Sequence, residues 1–161
     1  MALYAIGDLH LCLGAAKPMD IFGGAWTGYM DKLKQGCGVI GPEDTTVLLG
    51  DLSWALDLQQ ASEDFRWINE IPGKKIILKG NHDYWWDSQS KVTAAYPDML
   101  FLKNNCFIYK DIAICGTRGW LCPNDTKFND LLTELKKIYA NIIEEWDTLR
   151  RKFGFDGDVD N

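Results

Sequence analysis

Histidine is scarce in this chain of 161 residues, and its distribution is uneven. The two histidines are His10 and His82, so none lies after residue 82. The five cysteines include no pair with CxxC spacing, which excludes the common zinc sites built on such pairs. Their number is odd, and Cys106 and Cys115 interrupt apolar runs. We therefore expect reduced structural thiols rather than disulfides or zinc ligands.

Long apolar stretches and basic charge are also missing. No apolar run approaches the ~20 residues that a membrane-spanning helix requires. The first residues have no basic segment and lead directly into Gly7-Asp8, which is too short for a signal peptide. The formal net charge of −6 leaves no basic surface to neutralise a nucleic-acid backbone. We expect a cytoplasmic protein with neither a membrane nor a nucleic-acid polymer as its partner.

What the sequence does contain is a repeated pattern of strand and loop. Short apolar runs at residues 2–6, 45–49 and 75–79 each end at a glycine followed by Asp or Asn. Such runs are typical of strands buried on both faces of an α/β sheet. Apolar residues at helical spacing between residues 57 and 70 indicate a helix that crosses back to the sheet. Parallel strands joined in this way have their carboxyl ends at one edge, where open α/β sheets bind ligands.

The later part of the chain favours antiparallel strands and a helix. Three further strands are predicted, at residues 99–102, 107–109 and 112–115. Lys110-Asp111 joins the last two as a hairpin. Apolar residues at helical spacing between residues 129 and 153 predict a long helix. We expect one α/β domain over residues 1–155, followed by an acidic tail at residues 156–161.

The loops after the first three strands carry side chains able to bind a metal ion. These are Asp8, His10, Asp51, Asn81 and His82. Hard oxygen donors and imidazoles suit Mn, Fe, Zn or Mg-like ions rather than a thiolate site. Taken singly, each has a structural interpretation, because an Asp after a strand often caps a helix or a turn. Three strand ends that each supply such a residue together indicate one metal site.

Two metal ions suit this set of residues better than one. A carboxylate such as Asp51 can bridge two cations about 3.5–4 Å apart, so that a shared hydroxide attacks phosphorus while both ions neutralise the developing charge. The ions would thus supply the positive charge that this acidic chain lacks for a phosphate ester.

Three ordered blocks resemble the signature of the calcineurin-like metallophosphoesterases. Asp8-Leu9-His10 matches DxH, Gly50-Asp51 matches GD, and Gly80-Asn81-His82-Asp83 matches GNH followed by an acidic residue. Gly116-Thr117-Arg118-Gly119-Trp120 is similar to a bacterial branch of that family, which extends the likeness to about residue 125. The resemblance implies a hydrolase acting on phosphate esters, with a sandwich of two mixed β-sheets flanked by helices.

The resemblance also implies which residues bind the metals. Asp8 and His10 would bind the first of two divalent ions, with Mn, Fe or Zn as the candidates. Asp51 would bridge the two ions, and Asn81 would bind the second through its amide oxygen.

Three more residues are candidates for contact with the substrate. The resemblance implies that His82 lies over the substrate, where it would stabilise the phosphoryl oxygens or protonate the leaving group. Asp83 would then be the partner that supports His82. Arg118 is a further candidate to face the site, although an isolated Arg in a loop is more often solvated or structural.

The lack of histidine after His82 departs from the family pattern, in which a lone histidine and a GHxH motif complete the two metal sites. We expect a C-terminally truncated form rather than a degenerate relative, because the three blocks present are intact. The alternative is a non-catalytic metal-binding or interaction module that acts through the final helix or the cluster Tyr84-Trp85-Trp86. A phospho-accepting signalling domain with Asp51 as the acceptor would leave His10 unexplained.

Overall fold

The structure is a computed structural model that describes residues 1–117, 136–145 and 148. The chain divides into two compact units, Met1–Phe101 and Leu102–Asn161. Each unit is described by itself below. No helix among the described residues is long and apolar enough to span a membrane.

The first unit is built on a sheet whose strands follow one another in chain order. Its strands are β1 (Leu3–Ile6), β2 (Thr45–Leu48), β3 (Lys74–Leu78) and β4 (Leu100–Leu102). The β1–β2 and β2–β3 pairs are parallel, with Ala5 opposite Val47 and Val47 opposite Ile76. The predicted parallel α/β sheet is therefore confirmed, and each strand begins and ends within one residue of its expected position.

Three α-helices belong to this unit, and two short 3₁₀ turns precede the first of them. The helices are α1 (Tyr29–Cys37), α2 (Ser62–Glu70) and α3 (Gln89–Ala95), and the turns are Met19–Phe22 and Gly24–Trp26. The predicted crossover helix is α2, which buries Phe65 and Ile68 against the core. The apolar pattern of the sequence does not predict α3, a helix of 7 residues whose N-cap is the side chain of Ser88.

The core of the first unit lies around β2 and β3. Val47, Leu48, Ile76 and Ile77 are buried, as expected for strands covered on both faces. The same expectation is wrong for β1, because Leu3 is 39% exposed and Ile6 is 36% exposed. Among the described strands β1 lies at the edge of the sheet, with β2 as its one neighbour in this part of the chain.

The described part of the second unit contains a hairpin and a helical stretch. β5 (Asn105–Tyr109) and β6 (Ile112–Gly116) pair antiparallel, and Lys110 has a left-handed φ of 55° in the predicted turn. Residues 136–145 are helical, within the predicted long helix. The single domain over residues 1–155 stays a prediction, and the tail at residues 156–161 lies outside the described residues.

Candidate metal centre

Backbone pairing continues past the ends of β1 and β2 and brings their loops together. The Asp8 N–H donates to the Gly50 carbonyl at 3.0 Å, and the His10 N–H donates to the Asp51 carbonyl at 2.9 Å. Leu11 then donates to Leu52 in the same way, at 2.9 Å. The parallel register therefore fixes His10 beside Asp51, although 41 residues of sequence separate them.

Glycines allow the loops after β2 and β3 to touch. Gly50 has a φ of 99°, and a Cβ added there would lie 2.4 Å from the Gly80 nitrogen. A Cβ added at Gly80 would lie 2.0 Å from Asp51 Oδ1 and 2.2 Å from the Asp51 nitrogen. Only glycine fits this contact, which explains in physical terms why both blocks begin with it.

A buried carboxylate holds the two loops in register. Asp83 is fully buried, and its oxygens accept hydrogen bonds from the backbone N–H groups of Asp51 and Leu52 at 2.8 Å and of Gly80 at 2.7 Å. The indole N–H of Trp85 donates to the same carboxylate at 2.8 Å. Burial raises the pKa of Asp83, although these donors favour its ionised form. We call this arrangement the Asp83 clamp.

The clamp presents a cluster of three possible metal ligands. One ligand atom from each of His10, Asp51 and His82 lies within 4.8 Å of the other two. Asp51 Oδ2 is 2.9 Å from His82 Nδ1, and Asp51 Oδ1 accepts a hydrogen bond from the His82 backbone N–H at 2.9 Å. Burial opposes ionisation of Asp51, but the two hydrogen bonds from His82 and the neighbouring charges of His82 and His10 outweigh it and lower its pKa.

The other predicted ligands lie at the margin of this cluster. Asp8 Oδ1 is 3.4 Å from His10 Nε2, and the Asp8 side chain is 75% exposed. The amide nitrogen of Asn81 is 3.0 Å from His82 Nδ1. The structure therefore brings all five residues that were predicted as possible metal ligands to one edge of the sheet. Arg118 lies outside the described residues.

Asp83 is placed differently from its predicted position as a support for the His82 ring. Its oxygens are directed at backbone N–H groups and at Trp85, while the carboxylate that faces His82 Nδ1 is that of Asp51. Asp83 thus acts on His82 through the loop that carries it.

Three candidate ligands have unusual backbone conformations. Asp8, His10 and Asp51 have φ values of 56°, 45° and 53°, in the left-handed region that side-chain-bearing residues rarely occupy. Such residues cost about 1–3 kcal/mol each and are concentrated at functional sites. Their clustering at one edge supports a functional interpretation of the five residues.

The polar atoms of the cluster fit a cation. His10 Nδ1 is buried, and it has no hydrogen-bond partner among the described residues. An unpaired buried nitrogen is costly, and the other ring nitrogen, Nε2, lies 3.4 Å from Asp8 Oδ1, where it could share a cation with that carboxylate. Imidazole nitrogens and a carboxylate with a lowered pKa are the donor set expected for Mn, Fe or Zn.

Trp54 is a site residue that the sequence analysis missed. Its ring stacks on His10, with centroids 4.8 Å apart and planes inclined by 20°, and its centroid lies 4.9 Å from that of His82. The signal was its position three residues after Asp51, at a strand end already singled out. By contrast, Trp85 and Trp86 are buried in the core, so the expectation of an exposed aromatic cluster is wrong for these two.

Comparisons with known proteins concern the fold and the family of the chain. A crystal structure of a protein of unknown function from Aquifex aeolicus is similar to the chain, with 23% sequence identity and a TM-score of 0.52. The match covers 86% of this chain and 73% of the other, and it concerns the fold alone. No curated protein gives a significant match. The model of the calcineurin-like phosphoesterase family matches residues 1–156, and the chain therefore belongs to that family.

Proposed function

We propose that the protein hydrolyses phosphate esters with two divalent metal ions, Mn, Fe or Zn, held at the carboxyl edge of the sheet. The observation that carries this proposal is the convergence of His10, Asp51 and His82 within 4.8 Å of one another. Membership of a phosphoesterase family supports the reaction class. When bound, the ions supply an activated water as the nucleophile and offset the negative charge that develops on the phosphoryl group.

Four side chains hold the ions in this proposal. Asp8 and His10 would hold the first ion, Asp51 would contribute to holding both, and Asn81 would hold the second through its amide oxygen. The chain has a net charge of −6, so an anionic substrate depends on these cations for attraction to the site.

His82 is the proposed catalytic residue. Its Nδ1 faces Asp51 Oδ2 at 2.9 Å, so an ionised Asp51 holds the proton of the ring on Nδ1. Nε2 is then the nitrogen that can turn to a substrate, once it releases the Asn81 amide nitrogen that lies 3.3 Å from it. A neutral ring accepts there, and a protonated ring donates to a phosphoryl or leaving-group oxygen.

The proposal also locates the protein in the cytoplasm. Cys12, Cys37, Cys106 and Cys115 are free thiols, and a reducing compartment preserves thiols in that state.

Metal titration and hydrolysis assays on matched variants test the proposal. The wild-type chain, Asp51→Asn and Asp87→Asn are titrated with Mn²⁺ by calorimetry and assayed with 4-nitrophenyl phosphate and bis(4-nitrophenyl) phosphate. Asp87 is the control because it is an exposed carboxylate paired with Lys91. We expect Asp51→Asn to weaken metal binding and hydrolysis by about 10- to 100-fold or more, with no change in Asp87→Asn.

Two results would overturn the proposal in different ways. Two bound ions without hydrolysis of either ester would refute the phosphoesterase activity and favour a metal-binding module. Failure to bind Mn²⁺, Fe²⁺ or Zn²⁺ would refute the metal site itself.

A further inference from the structure

A pocket opens beside His82. It has a volume of about 490 Å³, and its lining includes Lys17, Trp54, Gln60, His82 and Tyr84. All five lie in the first unit. A group bound there would be next to any phosphoryl group that His82 contacts, so the pocket is positioned to receive the rest of a phosphate ester.

Aromatic side chains supply two parts of the pocket lining. Trp54 is held in place by its stacking on His10 and by the hydrogen bond from its indole nitrogen to Met19 Sδ at 3.3 Å. Tyr84 is 59% exposed, and its ring centroid lies 6.4 Å from that of His82 in an edge-on arrangement. An exposed tyrosine beside a pre-positioned indole offers contact area to a planar ring at a low entropic cost.

Lys17 adds a positive charge to the same pocket. Its Nζ lies 3.1 Å from the centroid of the Trp54 ring, and the side chain is exposed. The ammonium group remains solvent-accessible, so it can pair with an anionic oxygen of a ligand. Gln60 is already engaged, because its Oε1 accepts a hydrogen bond from the Leu56 N–H at 2.8 Å.

We infer that this pocket recognises phosphate esters that carry a planar aromatic group. His10 covers one face of Trp54, so the ring takes the face that Lys17 covers in the free protein and lies beside Tyr84, while the flexible Lys17 side chain moves to pair with the anionic oxygens of the same molecule. This inference rests on the proposed function for its phosphoryl site, and it names the substrate class that the site prefers. Trp54 and Tyr84 are then specificity residues for the ester group rather than catalytic residues.

Two phosphonates of similar size and charge isolate the contribution of the aromatic ring. Phenylphosphonate and cyclohexylphosphonate are titrated by calorimetry into the Mn²⁺-treated full chain. Neither compound is hydrolysed, so the measurement does not depend on turnover. We expect phenylphosphonate to bind about two- to tenfold more tightly, which is the range that aromatic pairs contribute beyond buried area.

Variants assign the preference to particular side chains. Tyr84→Leu should bring the two affinities closer together, and Tyr84→Phe should keep them apart. Lys17→Gln should weaken both phosphonates by up to about fivefold and leave their ratio unchanged. Phe22→Leu is the control, because Phe22 is an exposed aromatic residue that is not part of the pocket lining.

The outcomes separate this inference from the proposed function. Equal affinity for the two phosphonates, or a preference that survives Tyr84→Leu and Trp54→Leu alike, would overturn the inference even if the chain hydrolyses esters. An aromatic preference that Tyr84→Leu removes would support the pocket even if hydrolysis is absent, in which case the proposed function alone fails.

Discussion

The four-stranded sheet has an amino edge, where its parallel strands begin, and a carboxyl edge, where they end. At each edge one carboxylate accepts hydrogen bonds from backbone N–H groups, but the two carboxylates have different effects. At the amino edge, Asp44 accepts hydrogen bonds from the backbone N–H groups of Ala2 and Gly41. At the carboxyl edge, Asp83 accepts them from Asp51 and Gly80. In both places one carboxylate joins segments that are distant in sequence. The first joins the start of the chain to the segment before β2, whereas the second builds a cluster of possible ligands.

The backbone conformations at the two edges explain this difference. At the amino edge the left-handed residue is Gly73, with a φ of 78°, and glycine adopts that conformation without steric cost. At the carboxyl edge the left-handed residues include Asp8, His10 and Asp51. At the carboxyl edge, three residues with candidate ligand side chains thus carry backbone strain that the glycine at the amino edge avoids.

Removing the Asp83 carboxylate should have the largest effect on stability and metal binding, and removing the Asp44 carboxylate provides the comparison. Asp83→Ala leaves several buried N–H groups without an acceptor, so we expect the free energy of unfolding to fall by about 3 kcal/mol or more. Mn²⁺ binding should weaken as well, because the loops that carry Asp51 and His82 are then joined only by the hydrogen bonds between these two residues. Asp44→Ala should destabilise less and leave Mn²⁺ binding intact. Urea denaturation and metal titration of both variants measure these effects.

Either of two results would contradict the proposed difference between Asp83 and Asp44. Equal destabilisation by the two alanines would show that the edges do not differ in their dependence on the carboxylate. Unchanged metal affinity in a folded Asp83→Ala chain would show that the clamp does not position the ligands.

A smaller effect is expected from adding one methyl group at either of two glycines. Gly80→Ala places a Cβ within 2.2 Å of two Asp51 atoms, so we expect a loss of about 1–3 kcal/mol and weaker Mn²⁺ binding. Gly36 lies in α1 with no atom within 4 Å of an added Cβ, so Gly36→Ala should raise stability by about 0.5–1 kcal/mol. Thermal denaturation measures the stability of both variants, and metal titration of the folded variants measures their Mn²⁺ affinity. A stable Gly80→Ala chain with normal metal affinity would contradict the close contact.

The pH dependence at the amino edge should give the smallest effect. Hydrogen bonds from Gly41 and Ala2, opposed by burial and aided by the N-terminal ammonium group, lower the pKa of Asp44. A lowered folded-state pKa stabilises the protein above the unfolded value of about 3.9, and this contribution is lost as the pH falls through the folded value. Asp44→Asn should therefore lose stability less steeply between about pH 5 and about pH 2. The free energy of unfolding, measured by urea denaturation, could instead fall equally steeply with pH in the wild type and in Asp44→Asn. That result would show that protonation of Asp44 is not coupled to unfolding.

The sequence signals for the candidate ligands are local, so the sequence could place them at strand ends. An apolar run followed by Gly-Asp or Gly-Asn indicates both the strand and the position of the side chain after it, as at Asp51 and Asn81. The clamp could not be predicted in this way, because Asp83 contacts N–H groups 31 and 32 residues earlier in the chain. The stacking of Trp54 on His10 could not be predicted either, because these two residues are also far apart in the sequence.

Two errors have a different origin. The exposure of β1 depends on its place at the edge of the sheet, which the apolar pattern of residues 2–6 does not reveal. The helix α3 is too short for its apolar residues to establish a period, and only Val92 is buried. Strand order and helix packing are tertiary properties, so a local pattern does not determine them.

The Asp83 clamp has a dynamic consequence. One carboxylate connects the amides of Asp51, Leu52 and Gly80, so these amides are protected from solvent by the same group. A fluctuation that releases Asp83 exposes all three amides in a single opening event, and it leaves Asp51 and His82 held together only by their two direct hydrogen bonds. Hydrogen exchange at these three amides should therefore slow together when a metal ion binds, which makes local opening and metal release one cooperative process.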